Sequence, residues 1–355
     1  MDWPDRRLYS VPMDGMLRGF WYLAVSARSL KPGKTLPVSL LGEALLLGRR
    51  PDGSVFAVSD SCPHRGMPMR HGSFDGQVLR CCYHGWAFRS TDGCCTEIPS
   101  LAPDDRTDPG RFRLRTYPAQ DVQGNIWVHV GAPGVEPGPV PTVPGFAGEA
   151  PQVTTTMRFP CEVDLAAWGF FDPGHPAFVH TSRWWKKNPA SRLRLKEKEF
   201  EPDGMGFRML RHHLKEGANP YRLLGKNVRI DIGIHLPGVR IEHIQGDRHS
   251  ACVLAAATPV SATETDVHYC VYWTVKWLAP LRPVAAWMAR DFLDQDREVA
   301  ARLVGNPALP APLFVGDPDA QVRWYMRLKK EYLASRSEGR PFVNPLRGQT
   351  LHWRS

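Results

Sequence analysis

The sequence predicts an α+β protein of two domains: a small antiparallel β domain, then a larger α+β domain built on an antiparallel sheet with helices. Three observations carry this. A length of 355 residues exceeds the usual size of one domain and leaves ample chain for a buried core. Strand-like runs separated by Gly, Pro and Asp turns crowd the first 130 residues. Beyond them strands come first and helices surround them, the α+β order.

In chain order, WYLAVS (21–26), LPVSLLGEALLLGRR (36–50), SVFAVS (54–59), QVLRC (77–81) and NIWVHV (125–130) alternate in polarity or are β-rich, so residues 18–130 are read as the first domain. GAPGVEPGPVPTVPGF (131–146) is too rich in Pro and Gly for a helix or a central strand and is read as a linker. Residues 147–355 form the second domain. It has a helical stretch near 162–180, strands at 228–236, 238–245, 250–258 and 266–277, and helices near 281–304 and 318–337. No internal repeat is present.

Composition is that of a globular chain, 43% hydrophobic and 23% charged. A net charge of +9 invites a nucleic-acid reading, but Lys and Arg are scattered among acids, with no phosphate-binding or zinc-finger motif beside them. The charge is read instead as a surface that suits an acidic partner. MDWPDRRLYSVPMDGMLRGFW has acids and prolines where a signal peptide needs an unbroken apolar core, and no run reaches the ~18 to 20 apolar residues of a membrane span. Eight cysteines, some in adjacent pairs such as Cys81-Cys82 and Cys94-Cys95, make a poor disulfide framework. A reduced, cytoplasmic setting with some thiols binding metal is expected.

CPHRGMPMRHGSFDGQVLRCCYHGW (62–86) sets Cys62 and His64 one residue apart, then Cys81 and His84 two apart. A structural zinc site more often pairs Cys with Cys at two to four residues. Here each loop supplies one thiol and one imidazole, which suits a 2Fe-2S cluster with two thiolates on one iron and two histidines on the other.

C-P-H-R-G followed by C-x-Y-H-G-W resembles the Rieske motif of the Rieske non-haem iron oxygenases. The resemblance implies Cys62 and Cys81 on one iron and His64 and His84 on the other. Cys82 stands where the family usually has proline, which leaves the second thiol open by one residue; the two-residue gap to His84 favours Cys81. Respiratory Rieske proteins carry a further cysteine in each loop, forming a disulfide, where this chain has Met67 and Tyr83. The resemblance therefore points to the lower-potential, ferredoxin-like branch.

Such a cluster passes single electrons, so the chain must also hold their destination. DPGHPAFVH (172–180) has the D-x2-H-x4-H spacing, and two histidines with one carboxylate bind one face of ferrous iron. His175 and His180 would lie about 140° apart on a regular helix, at ~100° per residue, and Pro176 is expected to supply the distortion that turns both inward. The carboxylate is sought in ARDFLDQDREVAARL (289–303). Asp294 has Arg290, Asp291, Arg297 and Glu298 as helical neighbours and should face water. Asp296 has Phe292, Leu293, Val299 and Ala300 and should point inward, where a lone carboxylate is costly unless it binds metal or is paired. QDREV also matches the family's acid in a late helix.

In the family the Asp of D-x2-H hydrogen-bonds a ligand histidine and links it to the cluster of a neighbouring subunit, a role implied here for Asp172 toward His175 and His84. The family's Asn three or four residues earlier is replaced by Gly169 or Trp168. The resemblance covers both domains and implies a homotrimer. No flavin or nicotinamide fingerprint appears, so electrons derived from NAD(P)H should arrive through a separate reductase or ferredoxin. The expected activity is that of a terminal oxygenase using O2, a 2Fe-2S cluster and mononuclear Fe(II), of the monooxygenase-like kind. The alternatives are a ring dioxygenase, a Rieske electron-transfer protein with a binding domain, and a zinc-bearing interaction module. WGFF (168–171), RWW (183–185) and WLAPLRPVAAWMARDFL (277–293) point to a bulky apolar substrate, polycyclic or sterol-like.

Overall fold

The computed structural model describes residues 16–131, 137–182, 193–214, 219–306 and 312–355. The chain divides into two compact units, one of Leu17–Thr142 with Gly148–Ala150, the other containing Val143–Ala147 and Pro151–Ser355. RWW (183–185) lies outside the described residues.

Among its described residues the first unit holds eleven short strands: β1 (Phe20–Ser26), β2 (Lys34–Leu40), β3 (Glu43–Arg49), β4 (Val55–Ser59), β5 (Ser73–Phe74), β6 (Val78–Arg80), β7 (Ala87–Arg89), β8 (Cys95–Glu97), β9 (Thr116–Tyr117), β10 (Ala119–Val122) and β11 (Asn125–Val130). They form three antiparallel sheets, ordered β1-β11-β10, β2-β3-β4-β9 and β5-β6-β7-β8. The run 36–50, read from sequence as one strand, is a hairpin. Leu41 and Gly42 both have positive φ, 53° and 76°, which lets a two-residue turn follow the twist of its strands. Every residue of NIWVHV is buried, because β11 is the central strand of its sheet.

The second unit is built on one eight-stranded antiparallel sheet. Its strands are β12 (Val153–Phe159), β13 (Leu195–Asp203), β14 (Gly206–His213), β15 (Arg229–His235), β16 (Val239–Gln245), β17 (Ser250–Pro259), β18 (Thr265–Trp273) and β19 (Gln349–Arg354). The order is β12-β18-β17-β16-β15-β14-β13-β19. Its helices are α1 (Val163–Phe171), α2 (Pro176–Val179), α3 (Arg282–Val304) and α4 (Ala320–Ser337).

The helical stretch expected over 162–180 is thus two helices with a break at Asp172. Small residues let α1 approach the sheet: a Cβ placed on Gly238 would lie 3.4 Å from the Ala257 methyl and 3.5 Å from that of Ala167. Asp164, in the first turn of α1, pairs with Lys329 of α4, and both are buried. The Tyr325 hydroxyl donates to the Pro237 carbonyl (2.9 Å), while its ring lies 4.9 Å from that of Phe171. These contacts fix the helix from which the next segment departs.

Candidate cluster and metal sites

Two loops of the first unit are built alike. One joins β4 to β5 and carries Cys62 and His64; the other joins β6 to β7 and carries Cys81 and His84. In the first, the Cys62 N–H donates to the Met67 carbonyl (2.9 Å) and the Gly66 N–H donates to the Cys62 carbonyl (2.8 Å). In the second, the Cys81 N–H donates to the Trp86 carbonyl (2.9 Å) and the Gly85 N–H to the Cys81 carbonyl (3.1 Å). Gly66 and Gly85 adopt φ of 73° and 72°, a region costly for residues with a Cβ. The repeated spacing makes two loops of one shape.

Their tips meet. The His64 and His84 rings lie 4.6 Å apart, and Trp86 stacks on His64 at 4.6 Å and 8°. Cys62 and Cys81 are buried in the apolar core beneath, whereas Cys82 is exposed. Burial pushes the Cys62 thiol up to about 11; backbone N–H groups of His64 and Arg65 act against that rise and the Cys81 sulfur adds to it. Loss of hydration, then the neighbouring His84 and Arg65, lowers the pKa of His64 and favours the neutral imidazole that a metal takes. A bound metal removes a thiol proton outright. Two thiols below and two imidazoles above fit the ligand set of a Rieske cluster.

In the second unit, α1 ends at Asp172, whose carboxylate Oδ1 accepts from the N–H groups of Gly174 (2.7 Å) and His175 (3.3 Å). Burial would raise this carboxyl; hydrogen bonds from His175 and Gly174 outweigh it and hold it below its ordinary value. The Nδ1 of His175 lies 2.9 Å from the Asp172 carbonyl, to which it donates in the tautomer that leaves Nε2 open. His175 and His180 are not on one kinked helix, as their spacing was read. They flank the four-residue α2, His175 at its start and His180 at its end, with Pro176 opening it. Pro176 starts a helix where a kink was expected, because its missing N–H costs nothing in a first turn.

Asp296 reaches the same point from α3. Its Oδ1 lies 3.6 Å from His175 Nε2 and 3.5 Å from His180 Nε2, and one donor atom from each of the three falls within 4.8 Å of the others. Burial raises the Asp296 carboxyl to about 6, with His175 pulling it down and Asp172 pushing it up. Asp294, two residues earlier, pairs with Arg297 (2.7 Å) with its side chain 46% exposed. The helical phase read from sequence matches both positions. Two imidazoles and one carboxylate, converging from one side, fit a mononuclear iron.

His180 is enclosed and its ring stacks on Phe292 at 3.6 Å. Beside the triad opens a cavity of about 170 Å³, walled by apolar side chains such as Phe159, Leu165, Phe170 and Leu293, with Asp172, His175, Asp296 and Trp168 also on its surface. Of WGFF, Trp168, Gly169 and Phe170 line this cavity and Phe171 is core. In the run 277–293 only Leu293 lines it; Trp277 and Trp287 are exposed.

One residue escaped the sequence. Gln295 accepts from the Thr181 N–H (2.9 Å) through Oε1 and donates through Nε2 to Ser182 Oγ (2.6 Å), clamping the segment just after His180 to α3. Ser182 also donates to Asp291. The only sequence signal was a polar residue adjoining Asp296.

Residues 20–118 match the family model of the Rieske [2Fe-2S] domain. A 4β-methylsterol monooxygenase of Methylococcus capsulatus is 38% identical over 167 residues, 46% of this chain and 43% of that protein. The chain spans less than half the length of the first curated relatives it matches. Among solved structures, dicamba monooxygenase bound to 3,6-dichlorosalicylic acid superposes with a TM-score of 0.69 at 22% identity, covering 91% of this chain and 98% of that one. A carbazole 1,9a-dioxygenase oxygenase solved in complex with its ferredoxin gives 0.64 at 18% identity, covering 88% and 89%. These two likenesses show the fold. Residues 20–118 are thus a Rieske [2Fe-2S] domain, and the relatives and structures that the chain resembles are oxygenases.

Proposed function

We propose that the chain is a terminal oxygenase that hydroxylates or oxidatively demethylates a bulky apolar substrate, polycyclic or sterol-like. The observation that carries this reading is the convergence of His175, His180 and Asp296 beside an apolar cavity, in a chain that also carries a Rieske domain. A cluster held by Cys62, Cys81, His64 and His84 supplies single electrons, and an iron held by the triad supplies the place where O2 is activated.

The chain's own residues do the rest. The Asp172 carbonyl fixes the His175 tautomer, and Gln295 holds the His180 segment against α3. The mostly apolar walls favour an apolar molecule over a charged one. Asp172 keeps its carboxylate ionised and partly exposed beside His175, and its proposed partner is His84 of the partner subunit in a homotrimer. A separate ferredoxin or reductase is the electron donor, as the carbazole oxygenase complex with ferredoxin supports. Among the described residues no helix is long and apolar enough to cross a membrane, and a cytoplasmic setting is part of the same proposal.

Metal analysis tests it. The protein reconstituted without oxygen should be brown, with about three irons and two sulfides per chain. Two irons only would reduce it to an electron-transfer protein, and a colourless zinc protein would remove the cluster as well.

A further inference from the structure

The apolar run Trp277 to Leu293, expected from sequence to wall the substrate site, turns its first half outward. Trp277 is 61% exposed, Leu281 49%, Val284 52% and Trp287 59%. Leu281, Val284 and Trp287 recur every third residue across the start of α3. They span an arc of roughly 120°, turned away from Ala289 and Leu293, the buried residues of that half of the helix. Two exposed tryptophans with two exposed aliphatics form an apolar surface that a chain seldom leaves bare without a use for it.

The charge within this segment has one sign. Lys276, Arg282 and Arg290 are all exposed, and no acid occurs from 276 to 290. The next acids are occupied, Asp291 by Ser182 and Gln295, and Asp294 by Arg297. An apolar strip bearing tryptophan, with only cations in its own segment and paired acids beyond its far end, matches an anionic bilayer surface. There aromatic rings settle at headgroup depth and Lys and Arg meet the phosphates. A protein partner would need an apolar groove and acids placed around it; a bilayer offers both along its whole surface. The net charge of +9 adds a long-range attraction of the same sign.

We propose that this face, Lys276 to Arg290, docks on anionic lipid, with Trp277, Leu281, Val284 and Trp287 entering the interface. Trp287 and Asp296 are nine positions apart on one helix, about 14 Å at 1.5 Å each. Docking therefore brings the apolar cavity near the bilayer, so that an apolar substrate is taken from lipid without crossing water. That last consequence rests on the oxygenase reading; the docking surface does not.

The test is co-sedimentation of the metal-loaded protein with vesicles of phosphatidylcholine alone, or of phosphatidylcholine with roughly one-third phosphatidylglycerol. Wild type should bind the anionic vesicles, release with rising salt, and bind neutral ones at least about tenfold more weakly. Trp277→Ser with Trp287→Ser should lose at least about tenfold in affinity with iron, sulfide and visible spectrum unchanged. Lys276→Glu with Arg282→Glu should lose a similar factor, and only toward anionic vesicles. The proposal is overturned if wild type binds neither vesicle, or if the tryptophan variant binds as wild type. It is equally overturned if that variant changes the oligomeric state by sedimentation velocity, which would assign the face to a second copy of the chain. Iron content, read on the same samples, reports failure of the oxygenase reading separately.

Discussion

Asp296 and Asp294 sit two residues apart on α3 and face opposite media, so their substitutions should separate cleanly. Asp296→Ala removes the only carboxylate of the triad and should abolish mononuclear iron and turnover, with the visible spectrum of the cluster intact. Asp294→Ala breaks an exposed pair with Arg297, worth about 0 to 1 kcal/mol, and should leave both metals in place. Iron analysis beside the visible spectrum decides; loss of iron from the Asp294 variant alone would reverse the assignment. Gln295→Ala frees the segment after His180 and should weaken iron binding by roughly 10- to 100-fold, measured by competition with a chelator, without touching the cluster. The two aspartates were legible from sequence because helical phase places Asp296 among Phe292, Leu293 and Val299. Gln295 was not, because its partners Thr181 and Ser182 lie over a hundred residues away and a helical glutamine looks like any solvent-facing one.

At the scale of elements, α1 depends on a buried charge pair. Lys329→Ala would strand the Asp164 carboxylate, already pushed up by burial despite Lys329, inside the unit. A loss of about 3 to 5 kcal/mol is expected from denaturant unfolding, with iron affinity falling as α1 loosens. Lys329→Met with Asp164→Leu should recover much of it, since paired apolar replacements are often neutral. The twin loops have their own weak point. Gly85→Val forces a β-branched residue to φ near 72° and closer to Pro99, so cluster content should drop while the triad still takes iron. The sequence announced the strands whose apolar residues run together or alternate, such as NIWVHV. It concealed β13, LKEKEFEPD, where Glu197, Glu199 and Glu201 cover the exposed face, Lys196 and Lys198 share the other face with Phe200, and only Phe200 is buried. It concealed the break at Asp172 too, because an Asx turn accepting from Gly174 and His175 is a matter of side-chain geometry.

For the whole molecule, electron passage between subunits is the reading to challenge. Asp172→Asn keeps size and removes charge, so iron should stay and the cluster should still be reduced. Onward transfer in a single turnover should slow by orders of magnitude. Normal cluster reoxidation with normal product would refute the bridge and the trimer argued from it. Stability in acid offers a second check. His268 is enclosed, its Nδ1 lies 3.0 Å from Thr156 Oγ1, and burial lowers its pKa to about 4. Unfolded, it titrates near ~6.5. Between those values only the unfolded chain binds the proton, so this stability is full above about pH 6.5 and falls away toward pH 4, by up to about 3 kcal/mol. His268→Gln should flatten that part of the pH profile in denaturant titrations; an unchanged slope would exclude His268 as its source. The long sheet carries one more consequence, for synthesis. β13 is covered on one side by β14, which follows at once, and on the other by β19, which comes well over a hundred residues later. While those residues are still being made, β13 offers a bare row of amides to any passing strand. Chains interrupted anywhere between these two strands should therefore cross-pair and precipitate, whereas Leu17–Thr142, whose strands all find partners within that stretch, should stay dispersed.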